Sequence, residues 1–406
     1  MSKVYIKRFG PIEDGAVDTD GWIDFAKVSA FCGPQGSGKS TVVKVFAFFT
    51  WLEKVLTRGD HKESTWLQKN KFPKEFRDFH NVSDYFRKGT ILRYRGFSYE
   101  FDWENDIFSL KKTGVGTNYM IPKIMYVPAE RNFMSVIEAV DQVKNIPLNL
   151  KTMIREFLEA CKYFSGGINI PVPGFSFVYD KLNRIGKIRL DNGGEVRLSA
   201  ASSGLQSIMP LFLVSEYLFR QLIEEKDPSK NMSLETYRRI MDEVFVKLSV
   251  EELPEAMLQG LSQYNAALTR RFINIVEEPE QNLFPTSQAR ILFKLLEYVK
   301  GSEQFHDNQL VLTTHSPYII EYLQLATLAA EKPEVMVTNA KLASGLTEKS
   351  LVRKEDVFLY ETFQDGTIRR HVGADGFLPD ANTLHKVFEC ISNDCASILE
   401  WQEGQI

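Results

Sequence analysis

Cysteine is scarce in this chain of 406 residues. There are four, Cys32, Cys161, Cys390 and Cys395, with no C-x-x-C pair among them. That spacing excludes a zinc ribbon and a disulfide framework, and it fits a reducing compartment. Charge of one sign is not in large excess either. With 49 Lys and Arg against 53 Asp and Glu, the net charge is −4, so no global field draws the chain to nucleic acid or to an anionic membrane. Long hydrophobic runs are missing: the most apolar stretch, Val45 to Leu52, falls far short of the ~20 residues a membrane span needs. The opening Met1 to Lys7 has no apolar signal-peptide core, so the expected location is cytoplasmic, with no membrane partner. There is no internal repeat, no low-complexity tract and no heptad run long enough for a coiled-coil arm. Asn70-Lys71 is followed by Phe72-Pro73, which excludes the guanine-reading Asn-Lys-x-Asp, and no R-x-x-x-x-H ribonuclease motif occurs.

What is present is an ordinary globular composition, 44% hydrophobic and 25% charged, with material for a large core. The length allows two or three domains, or one large α/β domain carrying insertions. The strand-like run Val28 to Cys32 leads directly into Gly33-Pro34-Gln35-Gly36-Ser37-Gly38-Lys39-Ser40-Thr41, which fits G-x-x-x-x-G-K-[ST]. Average residue frequencies put a chance match of those fixed positions at about 1–2% in a chain of this length, and strand before with helix after lowers it further. Gly36 and Gly38 allow backbone angles that turn successive N–H groups inward around a pyrophosphate. Lys39 reaches the β- and γ-phosphates, Ser40 offers a hydroxyl to Mg²⁺, and the segment from Thr41 to about Leu56 reads as a helix whose N-terminus faces the phosphate.

Upstream, Val4–Phe9 and Trp22–Phe25 read as short strands around a polar turn, and Asp18-Thr19-Asp20 belongs to that turn and not to a metal site. From Lys54 to Lys112 there are 13 Lys and Arg against 9 Asp and Glu, a local +4, with aromatics at Trp66, Phe72, Phe76, Phe79, Tyr85 and Phe86. Such a mixture suits a nucleic-acid surface, but a solvated face over an aromatic core explains it better. Thr90 to Lys112 alternates as antiparallel strands with a hairpin turn at Glu104-Asn105-Asp106. Ile121 to Val127 reads as a buried strand ending in Pro128-Ala129-Glu130-Arg131, a charged pair expected to face a ligand. Phe133 to Phe164 has helical periodicity broken at Pro147, and Phe175 to Leu198 reads as antiparallel strands turning at Asp191 to Gly194.

Three further signals follow. Ser202-Ser203-Gly204-Leu205-Gln206 opens an apolar helix, where Ser203 and Gly204 either cap the helix or present a hydroxyl and free N–H groups to an anion. Glu224 to Leu268 reads as polar and helical. Arg271 to Val276 is β-rich and ends in Glu277-Glu278-Pro279-Glu280, placing carboxylates at a strand terminus. Beside a phosphate loop, one carboxylate holds Mg²⁺ and its neighbour orients or deprotonates the attacking water. Gln309 to Thr314 is a further strand, followed by His315, whose imidazole at that strand end suits a γ-phosphate sensor. The tail offers strands at Val357–Tyr360 and Thr367–His371 and a helix from Asn382 to Trp401, which finish the sheet or dock a partner.

This ordered set resembles the ABC-type ATPases of the non-transporter group that includes the overcoming-lysogenization-defect, RecF-like and SMC-like proteins, over roughly residues 1–330. The fold class it implies is α/β: a P-loop NTPase of ABC type with a mixed central sheet, an antiparallel β subdomain and helical insertions. Residues 1–131 and 198–330 would form the two parts of the ATPase domain, with a helical insertion at about 224–268. Residues 132–197 would be a short helical and hairpin insertion, and 331–406 a C-terminal extension. By the resemblance, Gly33 to Thr41 bind ATP, Ser40 and Glu277 hold Mg²⁺, Glu278 is the catalytic base and His315 the switch histidine. Ser203, Gly204 and Gln206 match the signature motif, which departs from Leu-Ser-Gly-Gly-Gln at Ser202 and Leu205. In such proteins the signature closes over ATP bound to another protomer, so a homo-oligomer with ATP at its interfaces is implied. There is no clear glutamine loop, because Glu130-Arg131 stand where it would be. Within the group the motifs look like those of ATPases of bacterial anti-phage systems. That implies antiviral defence with a protein effector, a toprim nuclease, and a phage trigger protein, because this chain carries no toprim acid pattern of its own. The alternative is a DNA-repair or chromosome-maintenance ATPase, for which DNA would be a partner.

Overall fold

A computed structural model describes residues 1–113, 119–224, 269–301, 307–332 and 345–371 of the chain. The helical expectation for 225–268, the C-terminal helix at 382–401 and Cys390 and Cys395 lie outside these residues.

In chain order the elements are β1 (Lys3–Phe9), β2 (Trp22–Asp24), β3 (Val28–Cys32), α1 (Lys39–Arg58), α2 (Glu63–Trp66), α3 (Lys71–His80), β4 (Phe86–Arg95), β5 (Tyr99–Glu104), β6 (Ile107–Lys112) and β7 (Ile121–Val127). Then come α4 (Phe133–Val136), α5 (Leu148–Tyr163), β8 (Ile168–Asn169), β9 (Phe175–Asp180), β10 (Ile185–Leu190), β11 (Glu195–Arg197) and α6 (Ser203–Glu224). Last are β12 (Thr269–Glu277), α7 (Pro285–Lys300), β13 (Gln309–Thr313), α8 (Pro317–Glu331), β14 (Val357–Thr362) and β15 (Ile368–His371). Among the described residues no helix is long and apolar enough to cross a membrane.

The central sheet runs β15-β14-β3-β13-β12-β7, parallel throughout except for the antiparallel edge strand β15. Its middle strands are buried on both faces, which is why they read as continuous apolar runs and not as alternating ones. The two-residue period still sorts the side chains. Val28, Ala30 and Cys32 of β3, with Leu310 and Leu312 of β13, join the core beneath α5 to α8. Phe31 and Val311 face the opposite core, with α1 and the antiparallel sheet. The tail therefore completes the sheet as far as His371, because β14 lies directly beside β3.

The second sheet, β2-β1-β4-β5-β6, is antiparallel. The β5–β6 hairpin turns through Asn105 and Asp106, both with φ near +50 to +60°, the backbone that a tight two-residue hairpin requires. The Lys54–Lys112 segment is a charged face over an aromatic core: Trp66, Phe72 and Phe76 are buried, and Arg93 and Arg95 pair with Glu104 and Asp102. Residues 132–197 carry α4, α5 and a third sheet, β11-β10-β9-β8. The helical expectation from Phe133 is corrected here. Only α4 and a three-residue 3-10 turn at Val140–Gln142 form before α5, since Ala139 and Asn145 adopt left-handed backbone and Pro147 caps α5. Val17 to Thr19 form a short turn, and the Asp18 carboxylate accepts the backbone N–H of Arg370, so the turn reading of Asp18-Thr19-Asp20 holds.

The end of β14 braces the loop after β3. Thr362 Oγ1 meets Ser37 Oγ at 2.5 Å and lies 3.2 Å from the Cys32 carbonyl. A Cβ on Gly33 would sit 2.2 Å from the Thr362 carbonyl oxygen, and Gly33 has φ +135°, so only glycine fits there. Thr362→Val removes this bridge inside a buried contact, and the expected cost is about 1–2 kcal/mol, read as a lower urea midpoint at unchanged m-value.

Candidate functional site

Two in-register parallel pairings across three strands bring the candidate residues together. Glu277 of β12 pairs with Thr313 of β13, and Thr313 pairs with Phe31 of β3, so the residues after each strand emerge on one edge. Gly33 to Ser40, Glu278 and His315 are those residues. Ligands gather outside the carboxyl ends of parallel strands for this reason.

The loop between β3 and α1 has Gly36 at φ +76° and Gly38 at φ +102°. Nothing lies within 4 Å of a Cβ built on Gly36, whereas at Gly38 one would meet Ile12 at 2.8 Å. Gln35 is exposed, Pro34 and Ser40 are half-buried, and Ser37, Lys39 and Thr41 are buried. The α1 helix starts at Lys39, two residues earlier than its sequence suggests, with Gly38 as its cap. Lys39 Nζ folds back over the loop, donating to the carbonyls of Gly33 at 2.8 Å and Pro34 at 2.7 Å, and lies 3.3 Å from His315 Nδ1. Burial lowers its pKa to about 8, opposed by the carboxylates of Glu278, Glu280 and Glu277.

His315 spans the site. Its Nε2 lies 3.2 Å from Glu278 Oε1 while Nδ1 faces Lys39, so one imidazole joins the loop cation to a carboxylate. That contact with His315 is the largest influence holding the Glu278 carboxyl below the usual glutamate range. Glu278 itself has φ +46°, a strained backbone for a non-glycine residue. Its N–H donates to the Thr313 carbonyl at 3.0 Å.

Glu277 is buried and differently engaged. Oε1 accepts the Tyr126 hydroxyl at 2.7 Å and Oε2 the Ala129 N–H at 3.2 Å. Each Glu277 oxygen keeps a lone pair, and like the Ser40 hydroxyl it is an oxygen donor of the kind Mg²⁺ takes. Sequence reasoning missed Glu280. Its Oε1 accepts both Thr314 Oγ1 at 2.8 Å and the His315 N–H at 2.7 Å, holding the histidine's backbone, while the buried Oε2 has no hydrogen-bond partner. Burial raises its pKa. The Glu-x-Pro-Glu repetition was the available signal, since a third carboxylate two residues on returns to the same edge.

Glu130-Arg131 corrects its expectation. Glu130 is exposed, but Arg131 turns inward, is fully buried and contacts backbone carbonyls in place of a ligand. Ser203, Gly204 and Gln206 open α6. Ser203 is exposed in the first turn of the helix. A Cβ on Gly204 would meet the Asn282 carbonyl at 2.8 Å. The Gln206 amide donates to Ser199 O at 2.9 Å and lies 3.4 Å from Leu198 O, so it secures its own chain's preceding turn. Among the described residues no hydrogen bond joins residues 203–206 to the loop 33–41. The structure thus gathers Gly33 to Ser40, Glu277, Glu278 and His315 at one sheet edge, and the α6 start lies against the turn after Glu278 without a hydrogen bond to the loop among the described residues.

No family model matches the chain, and no curated protein matches it. Solved structures similar to it include a dimer of the ATP-binding cassette MJ0796 in a post-hydrolysis state bound to ADP and Pi, at 9% identity and a TM-score of 0.29, covering 91% of this chain and 98% of that one. Another is the Smc head domain with coiled coil and joint from Pyrococcus yayanosii, at 10% identity and a TM-score of 0.34, covering 97% and 100%.

The buried lysine yields a pH prediction. Only charged Lys39 attracts a polyphosphate, and above about pH 8 that form declines in the free protein. ATP binding at pH 8.5 to 9 should therefore take up a proton and weaken as pH rises. Calorimetry in two buffers of different ionisation enthalpy measures the uptake, which should vanish in Lys39→Arg, whose guanidinium stays protonated over this range.

Proposed function

We propose that the chain binds and hydrolyses ATP and acts as an ABC-type nucleotide switch. The observation that carries this reading is the His315 imidazole set 3.3 Å from Lys39 Nζ and 3.2 Å from Glu278 Oε1 at the mouth of a G-x-x-x-x-G-K-S loop. Backbone N–H groups of the loop and Lys39 bind the phosphates. Ser40 and Glu277 would hold Mg²⁺, which neutralises charge on the phosphate oxygens when bound. Glu278 takes the proton of the attacking water as its oxygen bonds to the γ-phosphorus and ADP leaves. With Lys39 protonated toward Nδ1, His315 carries its proton on Nε2 and donates it to Glu278, which holds the carboxylate in place.

The exposure of Ser203, which makes no hydrogen bond to its own loop among the described residues, supports a second step. In this reading Ser203 and Gly204 meet ATP on a second copy, giving a homo-oligomer with nucleotide at its interfaces. Its assembly controls a protein effector, a nuclease in bacterial anti-phage defence. The motif set resembles that of AriA, the ATPase of the PARIS defence system, whose effector is a toprim nuclease released by a phage protein. In the alternative reading, DNA maintenance, the aromatics of 54–112 would stack on bases, but Trp66, Phe72 and Phe76 are buried.

The test is solution mass with and without Mg-ATP, alongside phosphate release. Glu278→Gln should retain ATP binding, lose hydrolysis by about 10²- to 10⁴-fold and accumulate a larger assembly. Lys39→Ala should bind no ATP and stay small. Wild-type protein that neither binds nor turns over ATP would end this reading.

A further inference from the structure

The least explained group near the site is Arg131. It is a wholly buried arginine, and all its hydrogen bonds run to backbone carbonyls. Nη1 donates to Glu277 O at 2.6 Å and Pro128 O at 3.3 Å, Nη2 to Glu278 O at 2.7 Å, and Nε to Ser207 O at 3.1 Å. One planar fork therefore holds the turn after β7, both peptides at the end of β12, and the first turns of α6. The acidic residues Glu280, Glu278, Glu277 and Glu130 surround it without a direct bond and keep it charged, although burial brings its pKa down to about 10.

We infer that Arg131 is a positioning residue that couples the start of α6 to the Glu278 peptide, so that movement of residues 203–207 is passed to the carboxylate facing His315. The geometry has two parts. Glu278 sits in left-handed backbone at φ +46°, which persists only when its surroundings over-determine it, and the Arg131 fork fixes its carbonyl. The same guanidinium grips Ser207 O, immediately after the exposed Ser203-Gly204 turn. Parallel contacts reinforce the link: Ser207 Oγ lies 3.2 Å from Gln281 Oε1, and Gly204 packs on Asn282. Ser135 Oγ, just beyond Arg131, donates to Gln206 O at 2.7 Å, tying the same two segments a second time. Lysine cannot reproduce the span, since its donors radiate from one atom.

The catalytic side of this inference rests on the ATPase reading, but the coupling does not, and the experiment separates them. Hydrogen exchange is followed in full-length wild type, Arg131→Lys and Arg131→Met, with folding checked by thermal melts. In Arg131→Lys, exchange of residues 203–207 and 277–282 should quicken together, by about tenfold, as loss of charge-assisted bonds predicts. Residues 33–41 should not change. Where Arg131→Met fails to fold, Arg131→Lys alone decides. Unchanged exchange in both segments, or quickening in only one, overturns the coupling whether or not the protein hydrolyses ATP. For turnover, Arg131→Lys should keep ATP affinity within about threefold and lose kcat by about tenfold or more, a split that general loosening of the fold would not give. Equal losses in affinity and kcat would overturn the positioning role, while absence of hydrolysis in wild type would sink the ATPase reading and leave the exchange result to judge the coupling.

Discussion

Everything at the candidate site depends on the register of three parallel strands. Phe31, Thr313 and Glu277 lie side by side across β3, β13 and β12, and the chain leaves each strand at the same edge. Slipping one strand by a residue would turn Cys32 or Leu312 into the wrong core and carry Lys39, Glu278 and His315 apart. The two apolar clusters on either face of the sheet thus enforce a polar arrangement at its end. The core sets the chemistry's geometry, although no core residue takes part in it.

That edge is crowded with buried charge. Lys39, Glu277 and Arg131 are withdrawn from water and Glu280 is half-buried, and each is answered by hydrogen bonds: Lys39 by loop carbonyls, Glu277 by Tyr126 and Ala129, Glu280 by Thr314 and His315, Arg131 by four carbonyls. Burying ions without such partners would cost several kcal/mol each. The unpartnered Oε2 of Glu280 and the left-handed backbone of Glu278 are the places where the arrangement stays strained, and both lie at the sheet edge beside His315.

The 132–197 segment belongs to the same system. It delivers the turn at Leu198 to Ala200 onto which Gln206 folds, and Ser135 holds the Gln206 carbonyl. The start of α6 is therefore fastened on one side to this segment and on the other to the Glu277–Asn282 turn. Ser203 is left exposed in its first turn.

By itself the sequence determined the elements whose signals are local. The glycine pattern between an apolar run and a helix placed the loop joining β3 to α1, alternation placed β4 to β6, and turn residues placed Asn105-Asp106 and Asp191 to Gly194. It also marked Glu277, Glu278 and His315, because a polar residue ending an apolar strand is visible in one dimension. What tertiary structure decided were the partners of those residues. The inward turn of Arg131, the grip of Glu280 on His315, the bracing of the loop by Thr362 and the placing of β14 beside β3 all join residues far apart in the chain. No spacing rule encodes such pairs, since a buried side chain's partner is chosen by packing of the whole sheet. The segment after Phe133 shows the same limit: the break at Pro147 was legible, but the left-handed Ala139 and Asn145 that end α4 early were not, although α4 and α5 share one core.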